Sequence, residues 1–160
     1  MRETELYSPV KAFLEGQGYE VKSEVGPADV VACREGDDPL VVELKTGFSL
    51  ALVHQAVARQ SVTDAVYIAA PRGKGRAFLT SLKNMKKLCR RLGLGLLTVR
   101  MNDELVEVHC DPGPFQPRKS RLRRERLLGE FAKRSGDPNT GGAMRSGLAV
   151  SYTHLRAHET

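Results

Sequence analysis

The chain has 160 residues, of which 41% are hydrophobic, so it is long enough for one domain with a substantial core. It contains no apolar run long enough to cross a membrane, and the first residues, 1–5, lack the apolar core of an export signal. We therefore expect a cytoplasmic protein in which the three cysteines are reduced, with Cys33 and Cys89 buried.

The net charge of +6 hides an asymmetry between two parts of the chain. Residues 1–70 hold six Lys/Arg against eleven Asp/Glu, whereas residues 71–160 hold nineteen against eight. A basic surface near an acidic site suits a protein that holds a polyanion, but a solvated basic surface and tail would give the same composition.

Hydrophobic periodicity predicts elements in the order α-β-β-β-α-β-α-β-β, followed by a strongly basic helix over 119–134. Pro9 is acceptable only near a first turn, so a start around Ser8 is an alternative to residue 4 for the first helix. A three-strand meander followed by helical crossovers predicts an α/β fold, a mixed central sheet flanked by helices. The predicted helices are 4–16, 49–61 and 77–92, and the predicted strands are 19–25, 28–34, 40–45, 64–70, 94–100 and 104–110.

Three charged residues lie in the second and third predicted strands, which are otherwise apolar. Asp29 lies within 28–32, and Glu43 and Lys45 end the strand that begins at Leu40. Because side chains alternate along a strand, Glu43 and Lys45 are predicted to point the same way, with Leu44 in the core. Buried charges need a partner or a metal, so we expect Asp29 and Glu43 to share a divalent ion beside Lys45. The alternative is structural, with Asp29 capping a turn and Glu43 paired to Lys45 on a solvated face.

The expected metal is Mg²⁺ or Mn²⁺, because carboxylate oxygens are the available ligands and no His/Cys cluster offers a zinc site. The backbone carbonyl of Leu44 is a further candidate ligand at the same strand end. Such an ion lowers the pKa of a bound water, and Lys45 would orient that water or stabilise the developing negative charge.

The motif Pro27-Ala28-Asp29, thirteen residues and then Glu43-Leu44-Lys45 resembles the PD-(D/E)XK nuclease superfamily. Three runs, 3–7, 41–47 and 137–142, resemble more narrowly a family of uncharacterised bacterial proteins assigned as PD-(D/E)XK-type phosphodiesterases. The resemblance spans about residues 1–150. It implies a restriction-endonuclease-like core in which Asp29 and Glu43 bind the metal and Lys45 assists the nucleophile.

The resemblance also implies contributions from the two helices next to the motif. A glutamate of the first helix, Glu3 or Glu5, is expected at the metal, unless it only favours the helix dipole. The helix after the motif is expected to supply a polar residue, and Gln55 and Gln60 are the equal first candidates, with Arg59 also considered. Each of these is alternatively exposed helix surface. Glu24 is a candidate outer ligand or a surface acid of an edge strand.

Basic residues outside the motif are candidates for binding nucleic acid. Lys74 and Arg76 lie in a glycine-rich loop before a helix, a place where backbone phosphate can bind, although the full P-loop pattern is absent. Arg59, Arg123 and Arg124 complete this predicted set. The alternative for 119–134 is an amphipathic helix that packs its apolar residues on the core.

The sequence therefore predicts a metal-dependent phosphodiesterase that cleaves nucleic acid, with DNA favoured and a homodimer conceivable. The alternatives are a non-catalytic nucleic-acid-binding module of the same fold and a structural protein whose charged trio is an ion-pair network. The predicted organisation is a nuclease-like domain over 1–112, a basic helix and Gly-rich linker over 113–150 that begin a truncated module, and a non-native tail over 151–160.

Overall fold

The computed structural model of the protein describes residues 2–134 and 136. The chain divides into two compact units, residues 1–117 and 118–160. The described elements of the first unit are α1 (Thr4–Glu15), β1 (Glu20–Val25), β2 (Ala28–Cys33), β3 (Leu40–Leu44), α2 (Leu50–Arg59), β4 (Val66–Pro71), α3 (Gly75–Leu92), β5 (Gly95–Arg100) and β6 (Leu105–Cys110). The second unit contains α4 (Arg121–Lys133).

The six strands form one mixed sheet in the order β1-β2-β3-β4-β5-β6. β1, β2 and β3 are an antiparallel meander, β3, β4 and β5 are parallel, and β6 returns antiparallel to β5. The two parallel pairs are joined by α2 and α3, since a parallel connection requires a crossover. This arrangement confirms the predicted α/β restriction-endonuclease-like core.

Helices cover both faces of the sheet. Because side chains alternate along a strand, successive residues are buried on opposite faces. On one face α1 packs Leu6, Val10 and Leu14 against even-numbered residues of β3 and odd-numbered residues of β5. On the other face α2 and α3 pack against Val41 of β3 and against even-numbered residues of β4 and β5. A residue's position along β3 therefore decides whether it faces α1 or α2.

The first helix begins where the predicted range 4–16 places it, and not at the alternative start around Ser8. α1 starts at Thr4, so Pro9 lies inside the helix rather than in its first turn. Pro9 removes one backbone donor, but Leu6, Pro9, Val10 and Leu14 are all buried by this helix. Burial of this apolar stripe outweighs the local cost of the proline.

The expectation that both Cys33 and Cys89 are buried is wrong for Cys33. Cys89 faces the sheet from α3 and is buried, whereas Cys33 is the last residue of β2 and is exposed. Within residues 2–134 and 136, no helix is both long and apolar enough to cross a membrane.

Candidate functional site

The site predicted from the motif lies where β2 and β3 separate. The regular pairing of these strands ends at Val30 opposite Val42. Beyond it, the backbone N–H of Leu44 donates to Asp29 Oδ2 at 2.8 Å, and the backbone N–H of Asp29 donates to Glu43 Oε2 at 3.1 Å. The two acidic side chains thus replace ladder hydrogen bonds between the strand ends. This exchange fixes both carboxylates and places them next to each other.

Glu43 is a buried carboxylate, with only 1% of its side chain exposed. It shares the parity of Val41, which places it on the α2 face of the sheet. Burial raises the pKa of Glu43, and the nearby Asp29 carboxylate also raises it, while the Asp29 N–H and Arg59 oppose the shift. This environment therefore favours protonated Glu43, and the ionised carboxylate is stabilised by a positive charge that lies close to it.

Arg59 supplies the positive charge that Glu43 faces in this structure. Its Nε lies 3.5 Å from Glu43 Oε2, and its Nη2 donates to the carbonyl of Pro27 at 2.9 Å. Arg59 is thus the candidate of this helix, among Gln55, Arg59 and Gln60, whose side chain contacts Glu43. Its side chain is 18% exposed, and its predicted contact with nucleic acid stays a prediction. Helical spacing indicates that Arg59 faces the sheet, because Leu52, Ala56 and Arg59 lie on the same side of α2 and the first two are buried.

Lys45 has a different partner from Glu43. Its Nζ is 3.4 Å from Oε2 of Glu3, next to α1, whereas Glu43 pairs with Arg59 of α2. The backbone N–H of Lys45 donates to the carbonyl of Ala69 at 3.1 Å, so the hydrogen bonding of β3 to β4 continues to this residue. That Glu43 and Lys45 point the same way stays a prediction.

A cavity of 220 Å³ lies on the α1 side of the strand ends. Asp29 and Leu44 form part of its lining, together with Glu3 from the start of α1 and Glu24 from β1. Glu24 has a φ of 52°, a left-handed conformation that is uncommon outside glycine. The remaining lining residues are Thr4, Tyr7 and Ser23.

The donor chemistry of this cavity fits a hard divalent cation. Asp29, Glu3 and Glu24 offer carboxylate oxygens, and Leu44 offers a backbone carbonyl at the same strand end. Among the described residues, no group of three or more Asp, Glu, His or Cys side chains is assembled closely enough to hold a metal ion. The Glu43 carboxylate is engaged by Arg59 instead.

The structure distinguishes between the alternative outer residues. Glu3 lines the cavity, whereas Glu5 accepts a hydrogen bond from the backbone N–H of Arg2. Gln60 is the residue after α2 and donates from Nε2 to the carbonyl of Leu92 at 2.8 Å, so its side chain ties α2 to the end of α3. Gln55 is half-buried on α2, and the cavity lining does not include it.

The predicted phosphate-binding loop forms a basic rim at the carboxyl edge of the parallel strands. Arg72, Lys74 and Arg76 line an open groove with a volume of 610 Å³, next to the start of α3. α3 itself contains Arg76, Lys83, Lys86, Lys87, Arg90 and Arg91 and no acidic residue. This basic helix packs on the face of the sheet opposite to α1.

Arg123 and Arg124 lie in the second unit. They are in the first turn of α4, where Ser120 Oγ accepts from the backbone N–H of Arg123 at 3.2 Å. Both are exposed, and α4 has no buried residue. The predicted linker, 137–142, and the predicted tail, 151–160, lie outside the described residues.

Comparison with known proteins gives one family. The family model described as "Putative PD-(D/E)XK phosphodiesterase (DUF2161)" matches residues 97–157. The match begins in β5, after Asp29, Glu43 and Lys45, and extends into the segment 151–160, which was predicted to be a non-native tail. No curated protein matches the chain. Enzymes of the PD-(D/E)XK type generally use divalent metals, and the similarity over 97–157 confirms the resemblance of this chain to that superfamily.

Proposed function

We propose that the protein is a divalent-metal-dependent phosphodiesterase that cleaves nucleic acid, with DNA as the substrate. The proposal rests on the pair of hydrogen bonds by which the Asp29 and Glu43 carboxylates join the ends of β2 and β3, beside a cavity rich in oxygen donors. A structural role alone does not call for two adjacent carboxylates, because they repel each other and raise the cost of burial.

Asp29, Glu43 and the Leu44 carbonyl are the groups that would hold the ion, with Glu43 released from Arg59 when the ion binds. Glu3 and Glu24 extend the donor set at the cavity wall. The proposed ion is Mg²⁺ or Mn²⁺, which when bound polarises a phosphodiester and lowers the pKa of water.

Lys45 is the proposed electrostatic group of the reaction. It lies next to the strand end that carries Leu44, and its ammonium group pairs with Glu3, a residue of the cavity wall. From this position a lysine can orient an attacking water or stabilise charge on a phosphate oxygen. The ion pair with Glu3 holds the Lys45 side chain at the cavity side of the sheet.

A polyanionic substrate is supported by the distribution of basic residues. The rim formed by Lys74 and Arg76, and the basic helix α3, give the protein a long positively charged surface. This surface and the acidic cavity are on opposite faces of the sheet. We propose that the substrate contacts the rim at the strand ends, where the two faces meet.

The test is a cleavage assay on supercoiled DNA, single-stranded DNA and a matching RNA, with Mg²⁺ or Mn²⁺ and with EDTA. Wild type is compared with Lys45→Met and with Lys22→Met, a control for an exposed lysine of β1. Cleavage of DNA that needs the metal, survives in Lys22→Met and falls in Lys45→Met would support the proposal. Salt-sensitive binding without cleavage would instead indicate a binding module, and neither activity would indicate a structural ion-pair network.

A further inference from the structure

Arg59 is the residue whose arrangement the proposed chemistry does not use. Its Nε is buried and has no hydrogen-bond partner among the described residues, although Glu43 Oε2 lies 3.5 Å away. A buried polar atom without a hydrogen bond is uncommon and costly, so this contact is suboptimal for an arginine–carboxylate pair. The pair supplies charge compensation without a bidentate geometry.

The second contact of Arg59 is independent of Glu43. Its Nη2 donates to the Pro27 carbonyl at 2.9 Å, at the turn that precedes Asp29. The guanidinium therefore keeps one anchor if the carboxylate is taken by another cation. Glu43 likewise keeps the N–H of Asp29 as a donor, at 3.1 Å.

Glu43 needs a cation more than most carboxylates, because it is almost fully buried next to Asp29. Two cations are then rivals for the same oxygen: the fixed guanidinium of Arg59 and a divalent ion held by the neighbouring Asp29. The two cations repel each other when both lie against the Glu43 carboxylate, so each weakens the binding of the other.

We propose that Arg59 is the resident counter-cation of Glu43 in the metal-free protein and competes with the divalent ion for this carboxylate. Arg59 thereby sets the metal concentration at which the site fills. This inference rests on the proposed function, because it takes Glu43 to be a metal ligand. Arg59 is a positioning residue in this scheme, since it acts on Glu43 and not on the substrate.

The test is a Mn²⁺ titration followed by electron paramagnetic resonance, with wild type, Arg59→Gln, Arg59→Lys and Glu43→Gln. Arg100→Gln serves as a control, because Arg100 forms an exposed pair with Asp103. We expect Arg59→Gln to bind Mn²⁺ about tenfold more tightly than wild type, which corresponds to about 1.4 kcal/mol. Arg59→Lys should lie between the two, and Arg100→Gln should match wild type.

A second measurement tests the inference even if Arg59→Gln is less stable than wild type. Thermal unfolding with Mn²⁺ and with EDTA gives the gain in Tm on metal binding, and we expect a larger gain for Arg59→Gln than for wild type. An unchanged or weaker affinity in Arg59→Gln, with Mn²⁺ binding lost in Glu43→Gln, would overturn this inference alone. If Glu43→Gln binds Mn²⁺ like wild type, Glu43 is not a ligand and the proposed metal site itself fails.

Discussion

Asp29 has a structural role that can be separated from its proposed metal-binding role by two substitutions. Its Oδ2 accepts the backbone N–H of Leu44 at 2.8 Å, at a strand end where Leu44 is buried. Asp29→Ala removes this acceptor and leaves a buried N–H unpaired, at a cost of about 1–3 kcal/mol. Asp29→Asn keeps an oxygen in the same place but replaces a charged acceptor by a neutral one, at a cost of about 1 kcal/mol.

The assay for this prediction is thermal unfolding of the metal-free proteins, followed by circular dichroism in EDTA. For a domain of this size, 1 kcal/mol corresponds to a Tm change of roughly 4 °C. We expect Asp29→Ala to lose about 4–12 °C and Asp29→Asn to lose about 4 °C or less. The reasoning is refuted if Asp29→Ala melts like wild type, or if Asp29→Asn loses as much as Asp29→Ala.

Three further predictions follow from contacts outside Asp29. Gly95→Ala would place a Cβ inside van der Waals contact with the ring of Tyr67, so we expect a loss of about 1–3 kcal/mol in chemical denaturation. An unchanged denaturation midpoint would contradict this contact. The pKa of Glu43 is raised in the fold by burial, so ionised Glu43 lowers stability as pH rises through that pKa. The Tm of Glu43→Gln relative to wild type should therefore be higher at pH 8 than below the ordinary carboxyl pKa of 4.5, and a Tm difference that does not change with pH would contradict this. Reversing the charge of Lys74 and Arg76 should weaken DNA binding and lower its salt dependence by about one unit of slope for each lost phosphate contact. Binding isotherms at several salt concentrations measure this slope. An unchanged slope would mean that the rim does not contact DNA.

Most of the fold could be predicted from sequence because the elements have clear periods. The helix stripe of α3, the apolar run of β4 and the Gly-Pro turn between β1 and β2 define their elements to within about two residues. The start of α1 at Thr4 also matches the predicted range, although Pro9 argues locally for a later beginning. Burial of a whole helix face is a tertiary effect, and a local rule about proline does not contain it.

The residues of the site were predictable from sequence, but their partners were not. The pattern of charges in apolar strands identifies Asp29 and Glu43, and the structure brings them together. Arg59 was one of three candidates on the helix after the motif, and spacing alone does not choose among them. The pairing of Lys45 with Glu3 depends on how α1 packs on the sheet, a long-range property that the strand pattern does not contain.

The central claim is that Asp29 holds a divalent ion for phosphodiester cleavage, and the most direct measurement is the DNA cleavage rate as a function of Mn²⁺ for wild type and Asp29→Asn. The variant keeps an acceptor for the Leu44 N–H, so both proteins can be compared in the folded state after their Tm values are checked. The account predicts a rate that saturates with Mn²⁺ in wild type and falls at least about 100-fold in Asp29→Asn, a loss of about 2.7 kcal/mol in transition-state stabilisation. Cleavage that is independent of metal, or equal in the two proteins, would contradict it.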